Sequence, residues 1–504
     1  MSEDSDLTAR LGRLKSVPVL VLGDVMLDRF VYGSVDRISP EAPIPIMRIE
    51  RETAMLGGAG NVLRNLAALG ACPLGVAVVG EDAAGWQVRD LAATCLEPVG
   101  GRAQLVTDAG RPTTIKERFI AGGQQLLRAD REDAGTLGNE VTAAVAEAAV
   151  AAVKDAAVVI LSDYGKGVLS PPVVEAVLAA AAKRGCPVVV DPKGRDFSRY
   201  RGADWVTPNR RELQEASGLP VGDNGAVVAA CRRVIDETGI AAVLATRSEQ
   251  GMTLVQAAEG GEVHHLKAQA REVYDVSGAG DTVVAAFALA LGAGLAPAEA
   301  ASLANAAAAI VVGKLGTAVA QPGEIAQALH ASELLEAETK VVDLDSLLEQ
   351  VGRWRRRGLR IGFTNGCFDL LHPGHVSLLQ QAEAACDRLV VGLNSDASVR
   401  RLKGDGRPVQ SEAARGAVLA SLASVSRVVV FSEDTPLSLI EALKPEVLVK
   451  GADYRLDQVV GADIVQSYGG RVMLADLTPG QSTTATIKRL SDGQSGGTAV
   501  REQR

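Results

Sequence analysis

A chain of 504 residues exceeds what one hydrophobic core usually serves, so at least two domains are expected. Its 47% hydrophobic and 22% charged residues suit a globular protein, and a formal charge of −9 argues against general nucleic-acid affinity. Six scattered cysteines without a C-x-x-C pair argue against a zinc ribbon or disulfide framework; the polar start and the lack of a spanning apolar run argue against secretion and membrane insertion, so a cytoplasmic protein is expected.

The first element, the Val- and Leu-rich run Pro18–Gly23, predicts a buried strand. Asp24 follows it directly and Asp28 one helical turn later, a placement able to aim carboxylates at sugar hydroxyls from the carboxyl end of a sheet. Residues 29–51 carry Pro40, Pro43 and Pro45 among alternating apolar positions, which predicts a small exposed strand pair or lid. A lid keeps water from phosphoryl transfer. Gly57-Gly58-Ala59-Gly60-Asn61 then opens a helix over Val62–Leu69.

The runs Ala156–Ser162, Pro187–Asp191 and Ala241–Thr246, with a helical stretch Pro171–Lys183 between the first two, predict an α/β domain with a parallel sheet. Lys193 follows the second run, at the carboxyl edge, where it neutralises a phosphorylated sugar or is simply a solvated loop lysine. In Thr207-Pro208-Asn209-Arg210-Arg211-Glu212, the Asn and Glu spacing approximates a capping box. In Val276-Ser277-Gly278-Ala279-Gly280-Asp281-Thr282, small residues precede an Ala-rich helix, and free amides at such a start hold phosphate oxygens. A carboxylate beside a bound anion does not help to bind it, so Asp281 reads as a base for an attacking hydroxyl; an acidic helix cap is the alternative.

Together these segments resemble the ribokinase-like (PfkB) sugar kinases over roughly residues 15–325. The resemblance implies a kinase domain over 1–330 with its lid at about 29–51, an anion hole of Gly278, Ala279 and Gly280, and Asp281 as catalytic base. It puts Asp24, Asp28, Gly57, Gly58, Asn61 and Lys193 on the sugar. Asn209, Arg210, Arg211, Glu212, Thr246, Arg247 and Gly251 then face ATP, with Glu212 reaching Mg2+ through water.

Residues 331–345 are expected to be a linker, and the basic run Arg353–Arg357 a solvated helix end. A fresh βα alternation over 346–490 begins at Arg360–Thr364 and continues through Arg388–Asn394, Ser426–Phe431, Val447–Lys450 and Arg471–Leu474. The polar, Gly-rich tail 491–504 is expected to be disordered. Two of the five histidines fall in His372-Pro373-Gly374-His375, where two imidazoles at a helix start can donate to a triphosphate. Metal ligation is the alternative and needs a third ligand.

The string from Thr364 to His375 resembles the cytidylyltransferase-like nucleotidyltransferases, a Rossmann-like α/β fold, over roughly residues 345–490. That resemblance implies catalysis by His372 and His375 and nucleotide contacts from Thr364, Asn365, Gly366, Phe368, Asp369, Lys403, Lys450, Ser482 and Thr483.

The order of the two halves, with Asp36–Pro43, Ser162–Gly167 and Asn394–Ser398, is similar to the bifunctional kinase–adenylyltransferases of ADP-heptose synthesis. The similarity implies ATP with Mg2+ as cofactor, heptose phosphates as substrates, a separate phosphatase between the two steps, and a homodimer through the kinase lid, with no nucleic-acid or membrane partner. Another sugar or nucleotide fits the motifs but not the lid and strand-end strings, and a non-catalytic sensor is a third reading, against which intact Asp281, His372 and His375 argue.

Overall fold

The computed structural model describes residues 11–257, 263–269, 273–314, 316–356, 358–451 and 455–476. The chain divides into two compact units, one over Leu7–Leu329 and the other from His330 onward together with the first six residues.

The first unit holds a nine-stranded sheet and a four-stranded one. Their strands in chain order are β1 (Pro18–Gly23), β2 (Val25–Ile38), β3 (Pro45–Gly58), β4 (Cys72–Gly80), β5 (Arg102–Asp108), β6 (Ile115–Ala121), β7 (Gln124–Arg131), β8 (Val158–Ser162), β9 (Val188–Asp191), β10 (Trp205–Val206), β11 (Ala242–Thr246), β12 (Met252–Gln256) and β13 (Val263–Leu266). The large sheet runs β13-β12-β11-β10-β9-β8-β1-β4-β5 and is parallel except where β12 and β13 double back. All of β8 and nearly all of β1 are buried, as apolar runs covered by helices on both faces must be. Strand order reverses beside β1, which opens a crevice at the carboxyl ends of β1 and β8.

The lid is larger than residues 29–51. It starts at Val25, directly after Asp24, returns at Gly58, and adds β6 and β7 to give the order β3-β2-β6-β7. Its second half escaped notice because β7 is exposed throughout and β6 only half-buried, so neither has a hydrophobic period. Pro40 and Pro43 lie in the hairpin turn and Pro45 begins the edge strand β3, where a missing N–H costs no ladder bond. Asp28 sits on β2 and not on a helix.

The second unit is one parallel sheet in the order β14-β17-β16-β15-β18-β19. These strands are β14 (Val341–Val342), β15 (Ile361–Gly366), β16 (Arg388–Asn394), β17 (Arg427–Phe431), β18 (Val447–Gly451) and β19 (Arg471–Ala475). The expected linker 331–345 is replaced by structure. The helix Pro322–Lys340 runs into β14, whose two valines pair with Val428 and Val429, and Asp343 accepts the Ser346 amide at the start of the helix Leu344–Arg356. Arg355 at that helix's end bonds Glu446 and two carbonyls, and Trp354 is buried. The tail 491–504 lies outside the described residues.

Candidate active sites

In the first unit the chemistry gathers around the start of the helix Ala279–Gly292. Asp281 is buried in its first turn, and each carboxylate oxygen is taken by one donor: Asn61 Nδ2 at 2.7 Å on Oδ2 and the Tyr164 hydroxyl at 2.6 Å on Oδ1. Burial pushes the carboxyl up to about 6, with the two donors opposing it. Asn61 is aimed by packing of the helix Ala59–Ala68, because one turn on, Asn65 accepts the Thr282 hydroxyl at 2.9 Å. Gly278 has a φ of 78°, and a Cβ there would stand 2.7 Å from Asn61 Nδ2, so the approach needs glycine. No side chain caps this helix start; its first amide, that of Ala279, bonds the Val276 carbonyl at 3.2 Å, which leaves the next amides of the turn for an anion.

A cavity of about 190 Å³ lies against this helix start. Of the residues singled out from the sequence, it brings together Gly278, Gly280, Asp281, Asn209, Glu212, Thr246 and Lys193. It adds three acidic or phenolic groups to which sequence reasoning gave no role, Asp163, Tyr164 and Asp191. Burial, reinforced by Asp281 and Glu212, pushes Asp191 well above the carboxylate range. The capping reading of Asn209 and Glu212 is realised in a reciprocal box, and the pair also lines the cavity.

Other residues are placed differently from expectation. Asp24 is buried, and its carboxylate accepts the backbone amides of Tyr164, Lys166 and Val168 at 2.9, 3.0 and 3.1 Å, so it holds the 163–168 loop. Asp28 pairs with Arg118 of the lid at 2.9 Å and lies against Gly57, where a Cβ would come within 2.5 Å of the carboxylate. Lys193 stands 3.5 Å from Glu212, because the loop after β9 lies next to the loop after β10. Arg211 reaches into solvent and pairs with Glu215, and Arg210 pairs with Glu249. Arg247 turns inward to Asn224, Thr253 and Gln250, shaping the 247–251 turn that Gly251 closes against the Leu266 carbonyl.

In the second unit the strand order reverses around β15, whose carboxyl end carries Thr364, Asn365 and Gly366. His372 caps the helix Pro373–Ala384, and His375 stacks on it with ring centroids 3.9 Å apart. Phe368 adopts a φ of 43°, unusual for a bulky residue, and so brings its ring to 5.2 Å from His375. Burial lowers both imidazoles, and with His372 beside it His375 falls to about 4, against the pull of the Leu370 carbonyl. Both are therefore neutral donors at neutral pH. Lys450 reaches Asn365 Oδ1 at 2.5 Å, and Lys403 is exposed near Cys367.

Asp369 accepts Val409 N at 2.7 Å, Gln410 N at 3.2 Å and the Arg407 guanidinium. A residue that sequence reasoning missed completes this clamp. Arg415, with no exposed side-chain surface, donates to the carbonyls of Cys367, Asn394 and Gln410 and to Asp396. It ties together the turns that follow β15 and β16. Ser482 and Thr483 lie outside the described residues.

Comparison with known proteins agrees with this division. Residues 18–323 match the pfkB family of carbohydrate kinases, and residues 363–489 match the cytidylyltransferase-like family. The chain is 58% identical to the bifunctional protein HldE of Paramagnetospirillum magneticum, over 97% of this chain and all of that one. It is 56% identical to HldE of Rhodospirillum rubrum, over 97% of each. Escherichia coli phosphofructokinase-2 shares the kinase fold, with a TM-score of 0.53 at 19% identity, covering 63% of this chain and 99% of that one. The Arabidopsis thaliana ribokinase structure with ribose and ATP does so with a TM-score of 0.50 at 22% identity, covering 62% and 99%. The chain belongs to the HldE family of bifunctional proteins, with a pfkB-type carbohydrate kinase unit followed by a cytidylyltransferase-like unit.

Proposed function

We propose that the protein catalyses two steps of ADP-heptose synthesis. The first is ATP-dependent phosphorylation of D-glycero-β-D-manno-heptose 7-phosphate at its anomeric hydroxyl. The second is adenylyl transfer from ATP to the heptose 1-phosphate, with release of pyrophosphate. The observation that carries the reading is the pairing, in one chain of HldE type, of a buried carboxylate at an uncapped helix start with a stacked neutral histidine pair at another.

In the first step Asp281 takes the proton of the acceptor hydroxyl as its oxygen attacks the γ-phosphorus and ADP leaves. Amides of the Gly278–Gly280 turn meet the phosphoryl oxygens. Lys193 stands on the phosphate side. Among the described residues no group of three or more His, Cys, Asp and Glu side chains forms a metal cage. Mg2+ bound with ATP does not need one, since it keeps water and phosphate ligands with one or two carboxylates. Glu212, in the cavity, is the residue that would hold it; bound there, the ion offsets charge on the phosphate oxygens. In the second step His372 and His375 donate hydrogen bonds to the triphosphate while the sugar phosphate attacks the α-phosphorus, with Lys450 and Lys403 as flanking cations.

The 7-phosphate must leave between the two steps, which calls for a separate phosphatase, and the lid is the surface on which a homodimer would form. The test is to incubate the purified protein with ATP, Mg2+ and heptose 7-phosphate, and separately with heptose 1-phosphate, following bisphosphate and pyrophosphate formation. Failure of either product sinks that half of the reading, and faster pyrophosphate release with CTP than with ATP sinks the nucleotide assignment.

A further inference from the structure

The kinase base is held from a loop that nothing above assigns to the chemistry. Tyr164 donates to Asp281 Oδ1 at 2.6 Å from the cavity wall, a short charge-assisted bond. The same residue's backbone amide, with those of Lys166 and Val168, is fixed on the buried carboxylate of Asp24. Asp24 in turn sits where β1 gives way to the lid, and its carbonyl accepts the Ala59 amide at 3.0 Å where the chain leaves the lid. One chain of contacts thus runs from the lid hinge through Asp24 and the 163–168 loop to one oxygen of Asp281. Asn61 holds the other oxygen from the opposite side.

We propose that Tyr164 is a positioning residue of the kinase reaction: its hydroxyl fixes the plane of the Asp281 carboxylate so that a remaining lone pair faces the acceptor hydroxyl, and it favours the ionised form of that base. The inference rests on the kinase reading above. Two donors on two oxygens prevent the carboxylate from rotating, and each oxygen keeps one lone pair for the incoming proton. A phenol beside a buried carboxylate also stabilises charge that burial disfavours. The other charged groups whose fields reach this pair are Asp28 from the lid, Arg64 from the helix Ala59–Ala68, and Asp191 from the end of β9. Arg64 favours the ionised base and Asp28 opposes it, so Tyr164 and Asn61 are the direct contacts that keep it charged.

The experiment compares kcat/KM for the sugar 7-phosphate against pH in the wild type, in Tyr164→Phe, and in a protein carrying ring-fluorinated tyrosine at position 164. Loss of the donor moves the acid limb of Tyr164→Phe to higher pH by about one unit, roughly a fivefold deficit near pH 6 that approaches about tenfold below pH 5 and is nearly gone by about pH 8. The fluorinated ring, a stronger donor, moves the limb the other way. Thermal melting of each protein establishes that it is folded, and a variant that does not fold leaves the fluorinated protein to decide. An unmoved limb, or a deficit equal at every pH, overturns the inference while the kinase reading stands. A folded wild type without activity on the sugar phosphate overturns the kinase reading and this inference with it.

Discussion

The two sites handle phosphate at helix starts in opposite ways. Asp281 is a titrating group whose oxygens are already occupied by Asn61 and Tyr164, and burial sets its pKa close to neutrality. His372 and His375 are stacked on each other, and their buried Nδ1 atoms have no partner in full hydrogen-bonding geometry among the described residues. The first arrangement suits a group that must accept a proton; the second suits donors that must stay neutral and meet charge when it arrives. The difference follows from the reactions, because a sugar hydroxyl has to lose a proton to attack whereas a sugar phosphate does not.

The sharpest way to break that comparison is to disable each site alone. Asp281→Asn should lower bisphosphate formation by about 10³-fold or more while adenylyl transfer stays within about twofold. His375→Ala should lower pyrophosphate release by about 10²-fold or more and leave the kinase rate unchanged. Rate measurements of both half-reactions on both variants check this, and a cross-effect would mean that the sites are not independent.

Next in size is the clamp of the second unit. Arg415→Ala would leave three carbonyls and Asp396 without their buried cation, at a cost of about 3–5 kcal/mol. On graded heating, adenylyl transfer should then be lost at a clearly lower temperature than in the wild type, with the kinase midpoint unmoved.

The pH dependences should separate the two sites by type of group. As the proposed base Asp281 would work as a carboxylate, and its pKa is raised to about 6, so kinase activity should fall about tenfold per unit as pH drops below that value. His375 works as a neutral imidazole with a pKa lowered to about 4, so it adds no acid limb to adenylyl transfer between pH 7 and 5. Parallel kcat profiles of the two half-reactions over that range check both signs.

These contrasts also mark what could be read without the structure. Strands such as Pro18–Gly23 and Arg388–Asn394 were legible to the residue, because buried parallel strands are unbroken apolar runs closed by Gly, Asp or Asn. Asp281 and the histidine pair could be singled out because their motifs stand at helix starts rich in small residues, and the resemblance to known families weighed against a helix cap or metal ligation. The loop-holding contacts of Asp24 and Asp369 went unread for a shared reason: each carboxylate accepts backbone amides far along the chain, and backbone amides leave no mark in a sequence. Arg415 looked like any helix-surface arginine because Ser411, Glu412 and Ala414 around it read as an ordinary exposed first turn. Tyr164 did carry a signal, the glycines of Ser162-Asp163-Tyr164-Gly165-Lys166-Gly167 directly after a buried strand, which mark a loop held close to the sheet's carboxyl edge.

The smallest expected effect tests the capping box at the nucleotide side. Arg211 and Glu212 are adjacent, yet Glu212 lines the cavity and bonds the Asn209 amide, whereas Arg211 is solvent-exposed and pairs with Glu215 one turn on. An exposed i, i+4 ion pair contributes little, and a side chain on the far face of the helix cannot meet a phosphate in the cavity. Arg211→Ala should therefore change the KM for ATP in the kinase reaction by less than about twofold. Glu212→Gln keeps the size of the side chain and its bond to the Asn209 amide but removes the charge facing Lys193 and any bound Mg2+, so it should raise the Mg2+ concentration needed for half-maximal rate. Equal effects from the two substitutions would show that the box works as a helix cap alone, and would remove Glu212 from the metal-holding role.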